Sequence, residues 1–282
     1  MADQTTLTPA ALAVKLVRQS IAPTGKLSAY SVRGRGELRE QQLLATYVLV
    51  HGSWHGGWCW YRVAARLKRA GHRVITPDLL SLGCDTTPYR DVTLQGWTDQ
   101  IARHVQSASE PVILAGHSRG GIVISEVAEK VPEQIRMLVY VSAFLLRSGQ
   151  SLLEVAGGDS QSLVLPGLAF SEDRLSASIR PDVATAAFYG DCGEEDIALA
   201  LSLLRPEPLA PSSTPVQISS DRFGHVPRMY IECSRDRAIS PSVQTMMQAA
   251  LPCQRRTVID SDHSPFISRP DELARTLLLL AQ

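Results

Sequence analysis

Pro111-Val112-Ile113-Leu114-Ala115-Gly116-His117-Ser118-Arg119-Gly120-Gly121 joins a short apolar run to a Gly-x-Ser-x-Gly pentapeptide. A second apolar run, Ile122 to Val131, has helix-compatible spacing. The order is strand, glycine-pinched turn, helix. In such a setting a sharp, strained turn holds a serine with its hydroxyl exposed. Residues beside that serine must be small for the chain to turn so tightly. The pentapeptide alone would occur by chance in roughly one chain in ten of this length. The strand before it and the helix after it make the match far more specific.

Strand and helix patterns alternate on both sides of this turn. Thr46-Tyr47-Val48-Leu49-Val50 is β-branched and apolar and ends in His51-Gly52. Trp60 to Ala70 has helical spacing, with Gly71 as a natural C-cap. His72 to Asp78 reads as a strand and its exit loop, Leu94 to Ser107 as a helix, and Val112 to Ala115 as a strand. Gly120 to Lys130 reads as a helix and Ile135 to Ala143 as a strand. Arg228 to Cys233 and Arg255 to Ile259 are further strands, and Asp271 to Leu280 is a closing helix. This alternation predicts an α/β fold: a mostly parallel central sheet with helices on both faces.

Residues 147–225 behave differently. They are rich in Ser, Gly and Pro, with short helical patterns at Pro181 to Tyr189 and Glu194 to Leu204 and no strong strand. They are expected to form a mainly helical cap inserted over the carboxyl ends of the strands. The expected core is 45–146 plus 226–282, preceded by an N-terminal arm over 1–44. In the arm, Thr8 and Pro9 are placed to start a helix over Ala10 to Gln19, and Leu27 to Arg33 reads as a short strand.

The 282 residues suffice for one large α/β domain or two small ones. Lys plus Arg equals Asp plus Glu, at 28 each, so no charge footprint suggests nucleic acid or an anionic membrane. No apolar run approaches the ~18 residues of a membrane span. Ala10 to Val14 and Leu16-Val17, broken by Lys15, are too short and too charged for a signal peptide. Cys59, Cys84, Cys192, Cys233 and Cys253 are odd in number, with no metal spacing and no CxxC. They are expected to be free thiols in a reducing cytoplasm.

A serine hydroxyl is a poor nucleophile near neutral pH and needs an adjacent base, itself oriented by a carboxylate. On a sheet of this kind the partners follow in the chain order Ser, Asp or Glu, His. Downstream of Ser118 there are only His225 and His263. His263 follows the last strand, at the sheet edge where the turn at Ser118 opens, and is the candidate base. His225, before the strand that begins near Arg228, is the alternative. Asp236 follows the penultimate strand and is the candidate acid. Asp260 and Asp262 sit too close in sequence to His263 and are read as turn-stabilising residues.

The oxyanion of an acyl-transfer intermediate needs two backbone N–H donors. One is the N–H of Arg119, the residue after Ser118. The other is assigned to Ser53, in the glycine- and tryptophan-rich loop His51-Gly52-Ser53-Trp54-His55-Gly56-Gly57-Trp58. The Arg119 side chain has two readings. It salt-bridges to the cap or a helix, or it orients a carboxylate or phenolate on the substrate. Glu194-Glu195-Asp196 is read as a solvated helix start, where acids complement the dipole.

Taken together, Val48 to Trp60, Gly71-His72-Arg73-Val74, Gly116 to Gly121, Asp236-Arg237-Ala238-Ile239 and Asp262-His263-Ser264-Pro265-Phe266 give a clear resemblance. The chain resembles the α/β-hydrolase group of plant methylesterases and hydroxynitrile lyases, and the similar bacterial carboxylesterases and pyrethroid hydrolases. The resemblance covers about residues 46–282. It implies an α/β-hydrolase fold with no cofactor and no metal, acting on a small-molecule ester through an acyl-enzyme. Ser118, His263 and Asp236 would be the catalytic residues, with Ser53 and Arg119 as the oxyanion hole. Gly52, Trp54, His117 and Phe266 are the candidate substrate contacts. Hydroxynitrile lyases of this group carry threonine and lysine where Gly52 and Ser264 stand here, so cyanohydrin cleavage is disfavoured.

The substrate expectation is a methyl or hydrophobic ester. A first alternative is a lyase, cofactor-free dioxygenase or biosynthetic cyclase using the His–Asp pair as base. A second is a catalytically silent protein that binds a small ligand. The sequence admits a homodimer.

Overall fold

The computed structural model describes residues 44–282. The helix and strand expected within the N-terminal arm lie outside the described residues. β1 (Thr46–Val50), β2 (Arg73–Ile75), β3 (Val112–Ser118), β4 (Ile135–Ala143), β8 (Arg228–Cys233) and β9 (Arg255–Ile259) form one sheet in the order β2-β1-β3-β4-β8-β9. Every pairing in it is parallel. From β1 the chain steps to β2 on one side and then to β3 on the other. The carboxyl ends of β1 and β3 therefore flank a point where the strand order reverses, the usual ligand crevice of such sheets.

The two faces of the sheet feed two apolar clusters. Val48, Val50, Val112, Leu114, Leu138 and Tyr140 pack on one side with Trp97 and Ile101 of α2 (Leu94–Gln106) and Ile124 and Val127 of α3 (Gly120–Lys130). Tyr47, Leu49, Ile113, Ala115, Val139 and Val141 pack on the other. Their neighbours there are Val63 and Leu67 of α1 (Tyr61–Arg69) and Leu273 and Leu277 of α8 (Pro270–Leu278). Alternate residues thus face opposite helical layers, as expected of strands buried on both sides.

The segment 147–225 holds α4 (Leu152–Gly157), α5 (Pro181–Phe188), α6 (Glu194–Leu203) and α7 (Ala210–Ser213). It also holds β5 (Leu168–Phe170), β6 (Ser176–Ile179) and β7 (Glu207–Pro208), paired antiparallel as a three-stranded sheet. The sequence shows no strong strand there, and these three are short. Strands of two to four residues are too short to display a period of two. Among the described residues no helix is long and apolar enough to cross a membrane.

Candidate active site

β3 ends at Ser118, which adopts φ +53°, a left-handed conformation that a non-glycine residue rarely takes. The glycines around it make the turn possible. A Cβ on Gly116 would stand 2.7 Å from the Gly120 carbonyl oxygen, and one on Gly120 would stand 2.9 Å from the Val50 oxygen. β3 and α3 are thereby pressed together, and the strain at Ser118 is held by the surrounding packing.

Asp236 sits in the loop after β8, where its carboxylate is fully engaged. Oδ1 accepts from the backbone N–H groups of Ala238 (2.7 Å) and Ile239 (2.9 Å). Oδ2 accepts from Gln244 Nε2 (3.2 Å), from the Ser142 hydroxyl and from His263 Nδ1 (2.7 Å). The Nδ1–H bond to Asp236 leaves His263 Nε2 as a proton acceptor. His263 is itself only 1% exposed. Its ring packs 4.5 Å, centroid to centroid, from that of His117, the residue next to Ser118. Among the described residues the Ser118 hydroxyl makes no hydrogen bond.

Ser118 lines a cavity of about 630 Å³ of space free of protein atoms, part of it open to solvent. Its other walls are mostly apolar and include Phe144, Leu152, Val164, Phe188, Leu209 and Ile239. Ser53 and Trp54 also line it. Neither the Ser53 nor the Arg119 N–H has a protein acceptor among the described residues, as suits donors kept for a ligand oxygen.

A family match, "Alpha/beta hydrolase family", extends over residues 47–276. The chain belongs to the α/β-hydrolase family. It is 32% identical over 259 residues to Methylesterase 1 of Arabidopsis thaliana, covering 86% of this chain and 98% of that protein. In structure it is similar to tomato methylketone synthase I complexed with 2-tridecanone. That match has a TM-score of 0.77 and 27% identity, and covers 84% of this chain and 98% of the other. It is equally similar to a pyrethroid hydrolase from Sphingobium faniae, with a TM-score of 0.77, 26% identity, and coverage of 84% and 97%. These likenesses support an esterase-type α/β hydrolase.

The fold of this α/β hydrolase also tests the other residues singled out in the sequence. His225 is exposed, hydrogen-bonded through Nδ1 to the Asp221 carbonyl (2.9 Å), and stands outside the cavity lining. Asp260 pairs with Arg235. Asp262 accepts from Ser264 N (3.1 Å) and the Ser268 hydroxyl (2.8 Å), as a turn-stabilising residue does. Asp196, in the run read as a solvated helix start, is held by Arg62 of α1 through a two-pronged ion pair at 2.6 and 2.9 Å.

Three expected substrate contacts are corrected. Gly52, His117 and Phe266 do not line the cavity. His117 donates from Nε2 to the His263 carbonyl (2.8 Å) and meets Phe266 edge to face at 4.7 Å, both buried. His117 thus backs His263, and Phe266 backs His117. Gly52 is a spacer: a Cβ there would stand 2.8 Å from both Ser118 Cβ and His117 Nδ1.

The sequence reading missed Glu207. Arg119 is wholly buried and reaches the Glu207 carboxylate at 2.7 Å, so of its two readings the salt bridge to the inserted segment is the one adopted. An acid between two prolines, Pro206 and Pro208, was the available signal. Ser142 and Gln244, which complete the shell of Asp236, carried no local signal.

Residues of 147–225 brace the three loops that carry Ser53, Asp236 and His263. Trp54 N donates to Glu207 (2.9 Å), Arg205 N to Trp54 O (2.9 Å) and Trp54 Nε1 to Ala177 O (2.9 Å). The Ser162 hydroxyl donates to Ala238 O (2.8 Å) beside Asp236. Asp191 N donates to the Asp262 carboxylate (3.0 Å) beside His263, and Asp262 N returns a bond to Asp191 (2.8 Å).

Buried histidines make the fold acid-sensitive. His55 donates from Nδ1 to Ser53 O (2.7 Å) and accepts at Nε2 from the Tyr189 hydroxyl (2.7 Å), so the neutral ring is satisfied at both nitrogens. Burial pushes its pKa down to about 4, and burial likewise holds His51 and His117 well below 6.5. The unfolded chain takes up these protons near 6.5 while the folded one resists them. Stability is therefore fully present above about pH 6.5 and lost as pH falls towards 4. By pH 5, His55 alone is expected to cost about 2 kcal/mol, read as a lower urea midpoint than at pH 7. A midpoint unchanged between pH 7 and 5 would contradict the neutral assignment.

Proposed function

We propose that the protein is a serine hydrolase cleaving an uncharged carboxylic ester, methyl or otherwise hydrophobic, through an acyl-enzyme. The observation that carries this reading is Ser118, strained at φ +53° in the wall of an apolar cavity, with the hydrogen-bonded His263–Asp236 pair packed through the His263 ring against its chain neighbour His117. Ser118 Oγ attacks the ester carbonyl as its proton passes to His263 Nε2. The Ser53 and Arg119 N–H groups hold the resulting oxyanion. Collapse breaks the bond to the alkoxy oxygen, which leaves as the alcohol with the proton from His263. Water, deprotonated by the same nitrogen, then releases the acid and restores Ser118. Binding needs no metal, nucleic acid or membrane. Five free cysteines suit a reducing compartment such as the cytoplasm.

A second reading is favoured by the unmade Ser118–His263 hydrogen bond and by the likeness to a methylketone synthase. Here His263–Asp236 would act as a base without attack by Ser118. A fluorophosphonate probe, together with a panel of esters varying acyl and alcohol groups separately, distinguishes the two. Labelling at Ser118 and turnover of esters with apolar acyl groups are expected. Absence of both, with an apolar ligand still bound, would replace the hydrolase reading by a binding protein or a non-hydrolytic enzyme.

A further inference from the structure

We propose that the Arg119–Glu207 ion pair is a positioning device for the oxyanion hole, so that Arg119 serves both of its donors, one by backbone and one by side chain. The inference rests on the serine-hydrolase reading. The Ser53 N–H belongs to the same peptide group as the Gly52 carbonyl. Arg119 Nη2 donates to that carbonyl oxygen at 3.0 Å. His51 Nδ1 donates to it as well, at 2.8 Å, because His51 Nε2 is occupied by the Leu79 N–H. Two donors on one carbonyl fix the plane of its peptide and polarise the N–H at the other end. The following peptide group is pinned at both ends too: Ser53 O accepts from His55, and Trp54 N donates to Glu207 Oε2.

Glu207 Oε1 accepts from Arg119 Nε at 2.7 Å, which sets the reach of the guanidinium. The face of Trp97 lies 4.1 Å from it on another side. Both members are almost completely buried, at 0% and 4% side-chain exposure. Both carboxylate oxygens of Glu207 are engaged by the protein, Oε1 by Arg119 and Oε2 by Trp54 N, although Glu207 borders the cavity. Burial pulls the Arg119 pKa down while Glu207 opposes the fall, and an arginine keeps its charge regardless. An ordinary apolar residue after the nucleophile would leave the Gly52–Ser53 peptide held from His51 alone.

The test compares wild type with Arg119→Met/Glu207→Gln and with Arg119→Lys. The double variant leaves no lone buried charge and retains an amide oxygen for Trp54 N, so it removes chiefly the Gly52 donor. Arg119→Lys keeps the charge pair and loses the fork. On a turned-over ester the double variant is expected to lose about 10- to 100-fold in kcat, with KM within about threefold. Arg119→Lys is expected to fall between it and wild type. A trifluoromethyl ketone, which forms an oxyanion on Ser118, should lose affinity in proportion to kcat. The matching methyl ketone should not. Unchanged kcat with a raised KM, or a lower Tm alone, would reduce the pair to a structural tie and overturn the proposal. If wild type neither labels with fluorophosphonate nor binds the fluoroketone more tightly than the methyl ketone, the hydrolase reading itself has failed, and this inference with it.

Discussion

Ser118→Ala is expected to lower ester turnover by about 10⁴- to 10⁶-fold, read as kcat on an ester the wild type cleaves. The alanine keeps Cβ, so the close approach of Gly52 to that carbon is undisturbed. No hydrogen bond to the hydroxyl is lost, and the backbone strain at φ +53° is the same for both residues. The fold and the apolar cavity should persist, with KM little changed. The residual rate comes from the oxyanion donors and substrate positioning, which act without the nucleophile. Near-wild-type turnover by the variant would show that no acyl-enzyme forms on Ser118. It would shift weight to the His263–Asp236 pair as a free-standing base.

Asp236→Asn is expected to cost about 10³- to 10⁴-fold in kcat. The geometry dictates how the amide must lie. Oδ1 faces two backbone N–H donors, at Ala238 and Ile239, and must remain an oxygen. The amide nitrogen then replaces Oδ2, where Gln244 Nε2 and His263 Nδ1 both point as donors. His263 can keep a bond there only by giving up the Nδ1 proton and moving it to Nε2. The nitrogen that should accept the serine proton then already carries one. Ser142 can rotate its hydroxyl, whereas Gln244 is left donor against donor, so a modest loss of stability should accompany the loss of rate. A mild Asp236→Asn alongside a severe Asp260→Asn or Asp262→Asn would move the acid to the wrong side of His263. The bonds that Asp260 and Asp262 make to neighbouring turns argue against that outcome.

The parallel sheet and the turn at Ser118 were legible because their signals are local. Strands such as β3 and β4, buried on both faces, carry continuous apolar runs (Val112 to Ala115, Met137 to Val141), and the glycines beside Ser118 recur at the fixed spacing of one pentapeptide. Residues 168–208 were not legible in the same way. β5 to β7 are made by pairing with one another rather than by their own patterns. The Arg119–Glu207 pair joins positions 88 apart, and no window of sequence contains both. His117 was misjudged for a different reason. It shares strand parity with Ile113 and Ala115, which face Trp60 and Phe266. Counting twos along β3 would have turned its ring away from the cavity.

The bracing of all three loops by 147–225 bears on how such a protein could change its substrate. In a modular hydrolase a new cap would bring a new pocket while the chemical machinery stayed as it was. Here the segment that walls the cavity also holds Trp54, Ala238 and Asp262 in place. A transplanted cap lacking Glu207, Ser162 or Asp191 would slacken the machinery as it reshaped the pocket. Selectivity and turnover are therefore expected to change together in this chain. New specificities should be reached more readily by point changes at wall residues such as Leu152, Val164 or Leu209 than by recombination of whole segments.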